Sequence, residues 1–454
     1  MSVFNPRAAL LVTVGLGICP GQLLAQPVEA TQPVDSIHPI EPQSLATSQA
    51  SSLAQLVRYG LTYNPRVLSS VAEVKQAEKN VEINEGRYWP SVSLSAGPAD
   101  GVKINDKFVY DATLTYTLYD WGALDSELDS MNAEARKALH NSRQVRSEVG
   151  LDIIEAYLDI VQAQQKHELI KEYQKRLARV ERLANARAAG GYSDRAEINR
   201  VRQARFFSEQ QWQQADNELQ QATLRLQMLL QRPVNVNQLP ELPHDYLQLQ
   251  QYLPSLSQQA DLIKHSPQYM QALEEVNVLK GRADSIEAQQ LPKLVVQAAS
   301  QRREIGGDLT RDQSVAMRLQ ANFNQGLSSF DIGDVQRLQA QGARWDQQYT
   351  QLDMDRDINT QRGMLQNLDL QRTSLNQQVE ASTRLLSAYE EQFSAGLANV
   401  QSILDSEQER FGLRVQYLTT SMELLRIPYR ISSSLGILDS VLDAQSHELA
   451  STHN

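Results

Sequence analysis

The histidine and acidic residues are the first candidates for chemistry in this chain, and their spacing does not fit a catalytic or metal site. Two His-Glu pairs occur, at His167-Glu168 and His447-Glu448, but neither has the second histidine, four positions after the first, that a helical zinc site requires. The 454 residues contain seven scattered histidines, and no glycine-rich phosphate loop follows a strand-like segment. The sequence therefore predicts no enzyme activity, no metal and no cofactor.

A different use of side chains is indicated by two segments in which polar and apolar residues alternate. From Phe108 to Tyr119 every second residue is apolar, and a similar alternation ends near Asn324. This pattern is typical of a β-strand between two different surroundings, and a soluble sheet with one wet face has it too. The 12 residues from Phe108 to Tyr119 are close to the ~9–11 that a tilted strand needs to cross a bilayer. Aromatic residues cluster at one end, as at a membrane interface: Tyr88, Trp89, Tyr119 and Trp121.

Between the predicted strand pairs the sequence favours helices of unusual length. The stretch from Ala123 to Ala186 has no proline and one glycine, and its apolar residues step by three and four. At 1.5 Å per residue, its 64 residues extend roughly 95 Å. Two adjoining apolar stripes predict a packed neighbour on each side. A comparable helix is predicted at about 334–393, and shorter helices follow at 194–230 and 401–435.

The same order of signals occurs twice along the chain. The paired landmarks are Pro65 with Pro267, Pro90 with Pro292, Gly122 with Gly326, and Gly191 with Gly396. Their offset grows slowly, from 202 to 205 residues. This predicts a duplicated unit of about 200 residues.

Each unit is expected to contain a helix, a strand pair, a long helix and a shorter helix. The first unit spans 52–231, with strands at about 91–119, and the second spans 256–437, with strands at about 293–324. A connector at 232–255 separates the two units, and a C-terminal segment at 438–454 follows them.

The N-terminus is typical of an exported protein. Residues 1–25 have a single charge at Arg7, an apolar run to Ile18 and a small residue at Ala25, which predicts a signal peptide. Cys19 is the only cysteine, and Ile18 is not the small residue that a lipoprotein motif requires before it. Residues 26–51 are rich in Pro, Ser and Gln and are expected to form a flexible tail. The net charge of −11 disfavours nucleic acid as a partner.

Four strands are too few for a transmembrane barrel, whose minimum is about eight. An open strand edge in lipid would leave backbone groups without hydrogen bonds. Copies of the chain must therefore pool their strands, and two copies would supply eight while three would supply twelve.

The ordered and duplicated landmarks resemble those of the TolC-like outer-membrane factors. The resemblance covers residues 52 to 438 and rests on the duplicated helix entry at Asn64-Pro65, the aromatic-Pro passage into the strands and the Leu118-Tyr-Asp-Trp-Gly122 exit. It implies a homotrimer in the outer membrane, with a twelve-stranded β-barrel continued through the periplasm by a long α-helical barrel. Outer-membrane lipid would surround the barrel. The lumen of that barrel would be lined by Asp111, Thr113, Thr115, Thr117, Arg318, Gln320 and Asn322.

The resemblance also implies a periplasmic entrance at the ends of the long helices. Helical turns at Gly190, Gly191 and Gly396 would contact a periplasmic adaptor protein. Counting from Gly396, Asp405 falls on a position where acidic residues ring the constriction, and Ser402 replaces a second acid often found there. The ring would then have one acidic layer of about three carboxylates, and like charges at such close quarters attract cations.

Three further residues are assigned to the entrance by the same resemblance. Glu197 falls on the acidic position of the first helical end, and Asp194 is a looser candidate. Phe393 aligns with an aromatic gating position, although a buried packing role fits it equally well. The alternative for the acidic residues is an ordinary solvated position on a helix.

The implied function is an exit duct of a tripartite export machine. The lack of a lipoprotein motif and the form of the strand exit resemble the type I secretion branch, whose members include exporters of large surface adhesins linked to biofilms. That branch implies an inner-membrane ABC transporter as partner. One alternative is multidrug or other small-molecule efflux with a proton-driven pump. A second alternative is a structural periplasmic coiled-coil protein.

Overall fold

The computed structural model describes residues 52–98, 108–189, 195–240, 249–305, 308–321, 331–395 and 397–452. Within these ranges the chain is mostly helical, with one small antiparallel sheet. The expected signal peptide at 1–25 and the expected tail at 26–51 lie outside the described residues. So do Gly190, Gly191, Asp194, Asn322 and Gly396.

Helices and strands follow one another in two similar runs. The first run contains α1 (Leu53–Tyr63), α2 (Pro65–Glu85), β1 (Ser91–Pro98), β2 (Phe108–Tyr119), α3 (Ala123–Ala189) and α4 (Arg195–Leu230). The second contains α5 (Leu256–His265), α6 (Pro267–Gln289), β3 (Lys293–Ile305), β4 (Asp308–Gln320), α7 (Asp331–Ser394) and α8 (Val400–Ser434). A last helix, α9 (Leu438–Thr452), follows, and single 3-10 turns lie at Gly86–Tyr88 and Val236–Gln238.

Proline starts the two helices that lead into the sheet. Pro65 is the first residue of α2, and the side chain of Asn64 accepts a hydrogen bond from the Arg66 amide at 2.9 Å. Pro267 begins α6 in the same way, with Ser266 as the capping residue. Proline suits this position because the first amides of a helix have no intrahelical acceptor, and the capping side chain satisfies one of those that remain.

The four strands form one antiparallel sheet in the order β1-β2-β3-β4. β1 and β4 are therefore its edges, and β2 pairs with β3 although the four helices α3 to α6 separate them in sequence. Thr113 lies opposite Ala299 in this central pairing, and the register is irregular between Thr117 and Tyr119.

The two longest helices, α3 and α7, take part in two helical layers. Next to the sheet the order of contacts is α2-α3-α6-α7, and farther from the sheet it is α4-α3-α8-α7. One side of both layers is thus formed by α7, and the other side by α2 and α4. Because β4 precedes α7 and β1 follows α2, the edges of the sheet lie on the matching sides.

Helices α3 and α6 approach each other closely beside the sheet. A Cβ atom on Gly281 would lie 2.8 Å from the backbone nitrogen of Ser130, so only glycine fits there. The Ser130 hydroxyl donates to the Val278 carbonyl at 2.9 Å. Farther along, the Gln271 side-chain amide donates to the Asn141 side chain at 3.0 Å. This contact fixes the register of the two helices.

The buried apolar residues form two clusters. The larger one joins α1, the middle of α3 and the end of α8, with Val57, Ile153 and Ile431 fully buried. The second lies toward the far ends of the long helices and includes Leu177, Val201 and other buried side chains. Each fully buried aliphatic side chain contributes about 1.5–3 kcal/mol. Among the described helices, none is both long and apolar enough to span a membrane.

Candidate channel surfaces

The register of the sheet brings six of the seven predicted lumen residues onto one face. Directly opposed residues of neighbouring strands share a face. Asp111 lies opposite Gln301, which lies opposite Asp312. In the same way, Thr117 lies opposite Val295, which lies opposite Arg318. We call this the polar face, and its predicted members are Asp111, Thr113, Thr115, Thr117, Arg318 and Gln320. The seventh predicted residue, Asn322, lies outside the described part of the chain.

The opposite face of the sheet is apolar and exposed in the isolated chain. It carries Val92, Leu94, Leu114, Val315, Met317 and Leu319. Each of these side chains is between 39% and 78% exposed. A contiguous apolar surface of this kind marks contact with another apolar phase or partner. We call it the apolar face.

Aromatic residues gather where the sheet meets the helices. Trp89 and Trp121 are both exposed, and the rings of Tyr119 and Trp121 lie 5.0 Å apart in an edge-on arrangement. The Trp121 indole N–H donates to the Pro292 carbonyl at 2.9 Å, which ties the end of β2 to the start of β3. An amphipathic ring with one satisfied polar group suits a membrane interface.

The passage from β2 into α3 depends on Asp120 and Gly122. The Asp120 carboxylate accepts hydrogen bonds from the amides of Gly122 at 3.2 Å and Leu124 at 3.0 Å. Trp121 and Gly122 both have positive φ angles, 62° and 81°. This capping role is absent from the sequence prediction, although an acidic residue shortly before a long helix is a usual capping signal.

The entrance residues that the structure describes lie near the turn between α3 and α4 and the turn between α7 and α8. Asp405 is exposed on α8 and accepts a hydrogen bond from the Gln401 side chain at 2.6 Å. The Ser402 amide and hydroxyl both donate to the Asn399 side chain, at 2.9 and 3.0 Å, so Ser402 belongs to the cap of α8. Glu197 is half-buried in the first turn of α4, where a carboxylate is stabilised by the helix dipole.

Phe393 is buried rather than facing open space. Only 4% of it is exposed, and the guanidinium of Arg187 lies 4.6 Å from the centre of its ring. Arg187 also donates to the Ala398 carbonyl at 3.2 Å, which links the end of α3 to the turn before α8. The sequence allowed a gating role or a packing role for Phe393, and in the isolated chain this side chain is packed.

A buried ionic cluster joins α3 to α8 close to the entrance, and the sequence did not predict it. Glu407 is fully buried and pairs with Arg410 at 3.1 Å and with Arg176 at 3.4 Å. Burial lowers the pKa of the Arg410 guanidinium. Burial, followed by the nearby Glu407 carboxylate, raises the pKa of Tyr173 to about 12. The ring of Tyr173 also stacks on the ring of Phe411, with the ring centres 4.7 Å apart. The ionic cluster therefore lies beside an aromatic contact.

The charged groups of these surfaces are paired rather than clustered. Within the described ranges, no three His, Cys, Asp or Glu side chains come together as a metal site. The ionic groups near the entrance are paired with one another between helices, as in Glu172 with Arg414. Hydrogen bonding to Arg414 lowers the pKa of Glu172 and keeps it charged.

Comparison with known proteins gives the same picture. The family model described as outer membrane efflux protein matches residues 57–231. This part of the chain is therefore similar to the outer membrane efflux proteins.

Three solved structures have the same fold as this chain. The open-state MtrE outer membrane channel of Neisseria gonorrhoeae has 16% identity and a TM-score of 0.71, covering 86% of this chain and 90% of that chain. The CmeC outer membrane channel of Campylobacter jejuni has 15% identity and a TM-score of 0.72, with coverages of 85% and 86%. A membrane protein of Pseudomonas aeruginosa has 17% identity and a TM-score of 0.75, with coverages of 84% and 92%. No curated protein matches the sequence of this chain.

The family match supports several predictions from the sequence. Outer membrane efflux family proteins are channels and not enzymes, as the spacing of the histidines predicted. The family match over residues 57–231 indicates an outer-membrane export channel. The family match leaves the structural coiled-coil alternative without support, and it does not distinguish protein secretion from small-molecule efflux.

Proposed function

We propose that three copies of this chain close into a homotrimeric channel, with a twelve-stranded barrel in the membrane and an α-helical barrel below it. The proposal rests on the two sides of the chain, each of which has a strand and helices without a neighbour on their outer side in the described part of the chain. One side ends in β1, α2 and α4, and the other ends in β4 and α7. When unlike sides of identical copies meet head to tail, they generate a ring.

The sheet supports closure because its edges cannot remain open in lipid. β1 and β4 each have one side without a strand partner within the described chain. Backbone groups that lack hydrogen bonds in hydrocarbon cost several kcal/mol each. Pairing β4 of one copy with β1 of the next satisfies both edges.

The helices support the same association. On α7, four large side chains point away from the chain's own core at intervals of seven, four and three residues: Leu338, Trp345, Tyr349 and Leu352. They are between 62% and 70% exposed. On the opposite side, α2 exposes Leu68 and Ile83. An apolar stripe at this spacing is the seam by which one helix packs on another.

The duplicated landmarks indicate which helices meet. Within the chain, α6 packs between α3 and α7, whereas α2, its counterpart in the first unit, packs on α3 alone in this layer. In the proposed ring, α2 of a second copy packs on the outer side of α7. This contact has the same form as the contact of α6 with α3 within one chain. The internal repeat then gives six similar helix neighbourhoods in a ring of three chains.

In this channel the polar face lines the bore and the apolar face contacts lipid. Cargo enters at the helical ends, where Asp405 supplies one acidic layer and Glu197 lies in the first turn of α4, with Asp194 as the looser sequence candidate. Ser402 weakens the second layer. The turns at Gly190, Gly191 and Gly396 are the proposed contact with a periplasmic adaptor.

The proposed cargo is a secreted protein delivered by an ABC transporter, on the strength of the Leu118 to Gly122 exit and the missing lipoprotein motif. Small-molecule efflux with a proton-driven pump is the second candidate, and the family's description as efflux proteins favours it. Deletion of the gene in its host separates the two. Loss of a surface protein from the cell envelope supports secretion, whereas increased sensitivity to dyes and antibiotics supports efflux.

The bore assignment is tested with adjacent cysteines on opposite faces of β2. Thr115 is a member of the polar face and Leu114 of the apolar face. In the protein reconstituted into liposomes, Thr115→Cys should react at least about ten-fold faster than Leu114→Cys with a charged, membrane-impermeant thiol reagent, because only the bore holds water. The Leu114→Cys variant is the matched control, and equal reactivity would contradict the proposed lining.

A further inference from the structure

A cavity lies next to the sheet, where the end of α6 meets the first turns of α3 and α7. Its volume is about 640 Å³, which is within the range of sites for small molecules. Its lining comes from three separate stretches of the chain, and its aromatic and polar members include Trp121, Asp284, Glu287, Gln290, Asp334 and Arg337. The proposed channel gives this cavity no role.

The Trp121 wall of the cavity lies on the side of the apolar face. Tyr119 lies opposite Leu294 of β3, which lies opposite Leu319, a member of the apolar face. The ring of Trp121 lies against the ring of Tyr119, with the ring centres 5.0 Å apart. In the proposed channel the apolar face contacts lipid, so this indole lies at the membrane interface, where Trp is enriched. The cavity is then at the depth of the lipid headgroups on the periplasmic side.

The lining of the cavity carries both signs of charge, with carboxylates in excess. The Arg337 guanidinium lies 2.5 Å from the Glu287 carboxylate and 3.1 Å from the Asp334 carboxylate. Asp284 is the third carboxylate of the lining, and it is exposed. Because three carboxylates share the cavity with one guanidinium, the lining favours a ligand that carries a positive group.

The adjoining parts of the chain keep this charge balance. Asp331, at the start of α7, adds a further exposed carboxylate. Lys280 lies one turn before Asp284 on α6, but it is not part of the lining. The stretch 321–330, which joins β4 to α7 in sequence, contains no charged residue. The lining therefore keeps its excess of negative charge.

One donor in the wall of the cavity lacks an acceptor. The Nε2 atom of Gln290 is buried and makes no hydrogen bond to the described residues. An unpaired buried donor of this kind costs about 1–3 kcal/mol. A ligand with an acceptor oxygen as well as a positive group therefore fits this wall and the carboxylates together.

We propose that this cavity binds the headgroup of a zwitterionic phospholipid with a primary ammonium group, as in phosphatidylethanolamine. The site rests on the proposed orientation of the channel, with its apolar face in the membrane. The ammonium has three N–H donors for the carboxylates of Asp284 and Asp334, and the Trp121 ring adds a cation–π contact. The phosphate accepts hydrogen bonds from Arg337 and Gln290. The acyl chains continue along the apolar face.

The same charges discriminate against an anionic lipid. A headgroup with a phosphate and no ammonium would bring a negative charge beside the excess carboxylates without supplying the positive group that they favour. The proposed site is therefore selective for the ammonium and not a general phosphate site.

The proposal is tested with the purified full-length protein in detergent, by following thermal unfolding while one of three lipids is titrated. Phosphatidylethanolamine should raise the melting temperature at the lowest lipid concentration. Phosphatidylglycerol lacks the ammonium, so it should need at least about ten-fold more lipid for the same shift. Phosphatidylcholine keeps the positive charge but has no N–H donors on its nitrogen, so its effect should be intermediate.

Asp284→Asn removes one carboxylate of the cavity at an exposed position. This variant should need about ten-fold more phosphatidylethanolamine for the half-maximal shift, because a charge-assisted hydrogen bond is lost. Asp346→Asn is the matched control, since Asp346 is an exposed carboxylate about three turns beyond Asp334 on α7 and outside the cavity. It should leave the response to all three lipids unchanged.

An unchanged response of Asp284→Asn to phosphatidylethanolamine overturns the site. Equal protection by phosphatidylglycerol overturns the role of the ammonium, and equal protection by phosphatidylcholine overturns its N–H donors as the basis of recognition. The comparison of Thr115→Cys with Leu114→Cys in liposomes measures the orientation of the sheet independently, so a failed orientation is distinguished from a failed lipid site.

Discussion

At the level of single residues, Asp405 and Glu407 lie two positions apart on α8 in opposite surroundings. Asp405 is exposed beside the entrance, whereas Glu407 is fully buried between two arginines. One position along a helix turns a side chain by about 100°, so residues two apart face different sides. The first carboxylate is open to solvent, and the second pairs with Arg176 of α3 and with Arg410.

Replacing Glu407 with glutamine should destabilise the protein by about 3–5 kcal/mol, because Arg410 would then be buried without its charged partner. Thermal or denaturant unfolding of the purified protein measures the loss. Glu409→Gln is the matched control, since Glu409 is an exposed residue of the same helix and its replacement should change stability by less than about 0.5 kcal/mol. An equal effect of the two changes would show that the buried cluster contributes no stability.

Replacing Asp405 with asparagine should weaken block of the channel by multivalent cations, because the proposed acidic layer loses about three carboxylates. Block is measured from the periplasmic side in planar bilayers. Glu209→Gln on α4 is the control, since Glu209 is also exposed and has a similar contact with an amide four residues away, from Gln213 at 3.5 Å. Unchanged block in Asp405→Asn would remove Asp405 from the constriction.

At the level of elements, the turn from β2 into α3 connects the sheet to the longest helix. Gly122 has a φ of 81°, and Asp120 caps the amides that begin the 67-residue α3. An L-residue in this left-handed region costs about 1–2 kcal/mol. The glycine is therefore required by backbone geometry, since a Cβ there would meet no other atom within 4 Å.

Gly122→Ala should accordingly destabilise the protein by about 1–2 kcal/mol in thermal unfolding. Gly412→Ala is the contrasting change, because Gly412 lies inside α8 with open space around its Cα. Alanine is the better helix former, so that variant should gain up to about 1 kcal/mol. A loss at Gly412 as large as that at Gly122 would refute the backbone explanation.

At the level of the whole molecule, the exposed stripe on α7 and the edge strands have no use in a single chain. In the proposed ring, the duplicated landmarks predict which residues of a second copy would meet them. Gln271 of α6 contacts Asn141 of α3 at 3.0 Å, and the residues at the corresponding repeat positions are Ser69 and Trp345. Ser69 and Trp345 are both exposed in the isolated chain.

A protein with Ser69→Cys and Trp345→Cys should therefore form disulfides between copies and run as covalent dimers and trimers on non-reducing gels. A disulfide requires Cα atoms about 4.4–6.8 Å apart, so the cross-link tests whether α2 and α7 of different copies approach closely at these positions. Each single-cysteine variant serves as control. If the double variant formed no more covalent oligomer than these, α2 would not be the neighbour of α7.

The polar and apolar alternation of β2 and the spacing of the long helices were accessible from the sequence. Both are local properties, because side-chain direction repeats every two residues in a strand and every 3.6 in a helix. Pro65 and Pro267 marked helix starts for the same local reason. The structure has helices and strands in these regions, although β4 ends at Gln320 rather than near residue 324.

Other features depend on which distant segments pack together, and only the tertiary structure decided them. Glu407 looks like an ordinary helical carboxylate until α3 brings Arg176 to it from 231 residues away. The opposition of Arg302 and Arg311 depends on the register of β3 and β4, and a slip of one residue would move each side chain relative to its partner. By itself, the sequence determined the elements and the two faces of each strand, since periodicity is written along the chain. Which faces, charges and open edges come together was decided by long-range packing, which no local pattern encodes.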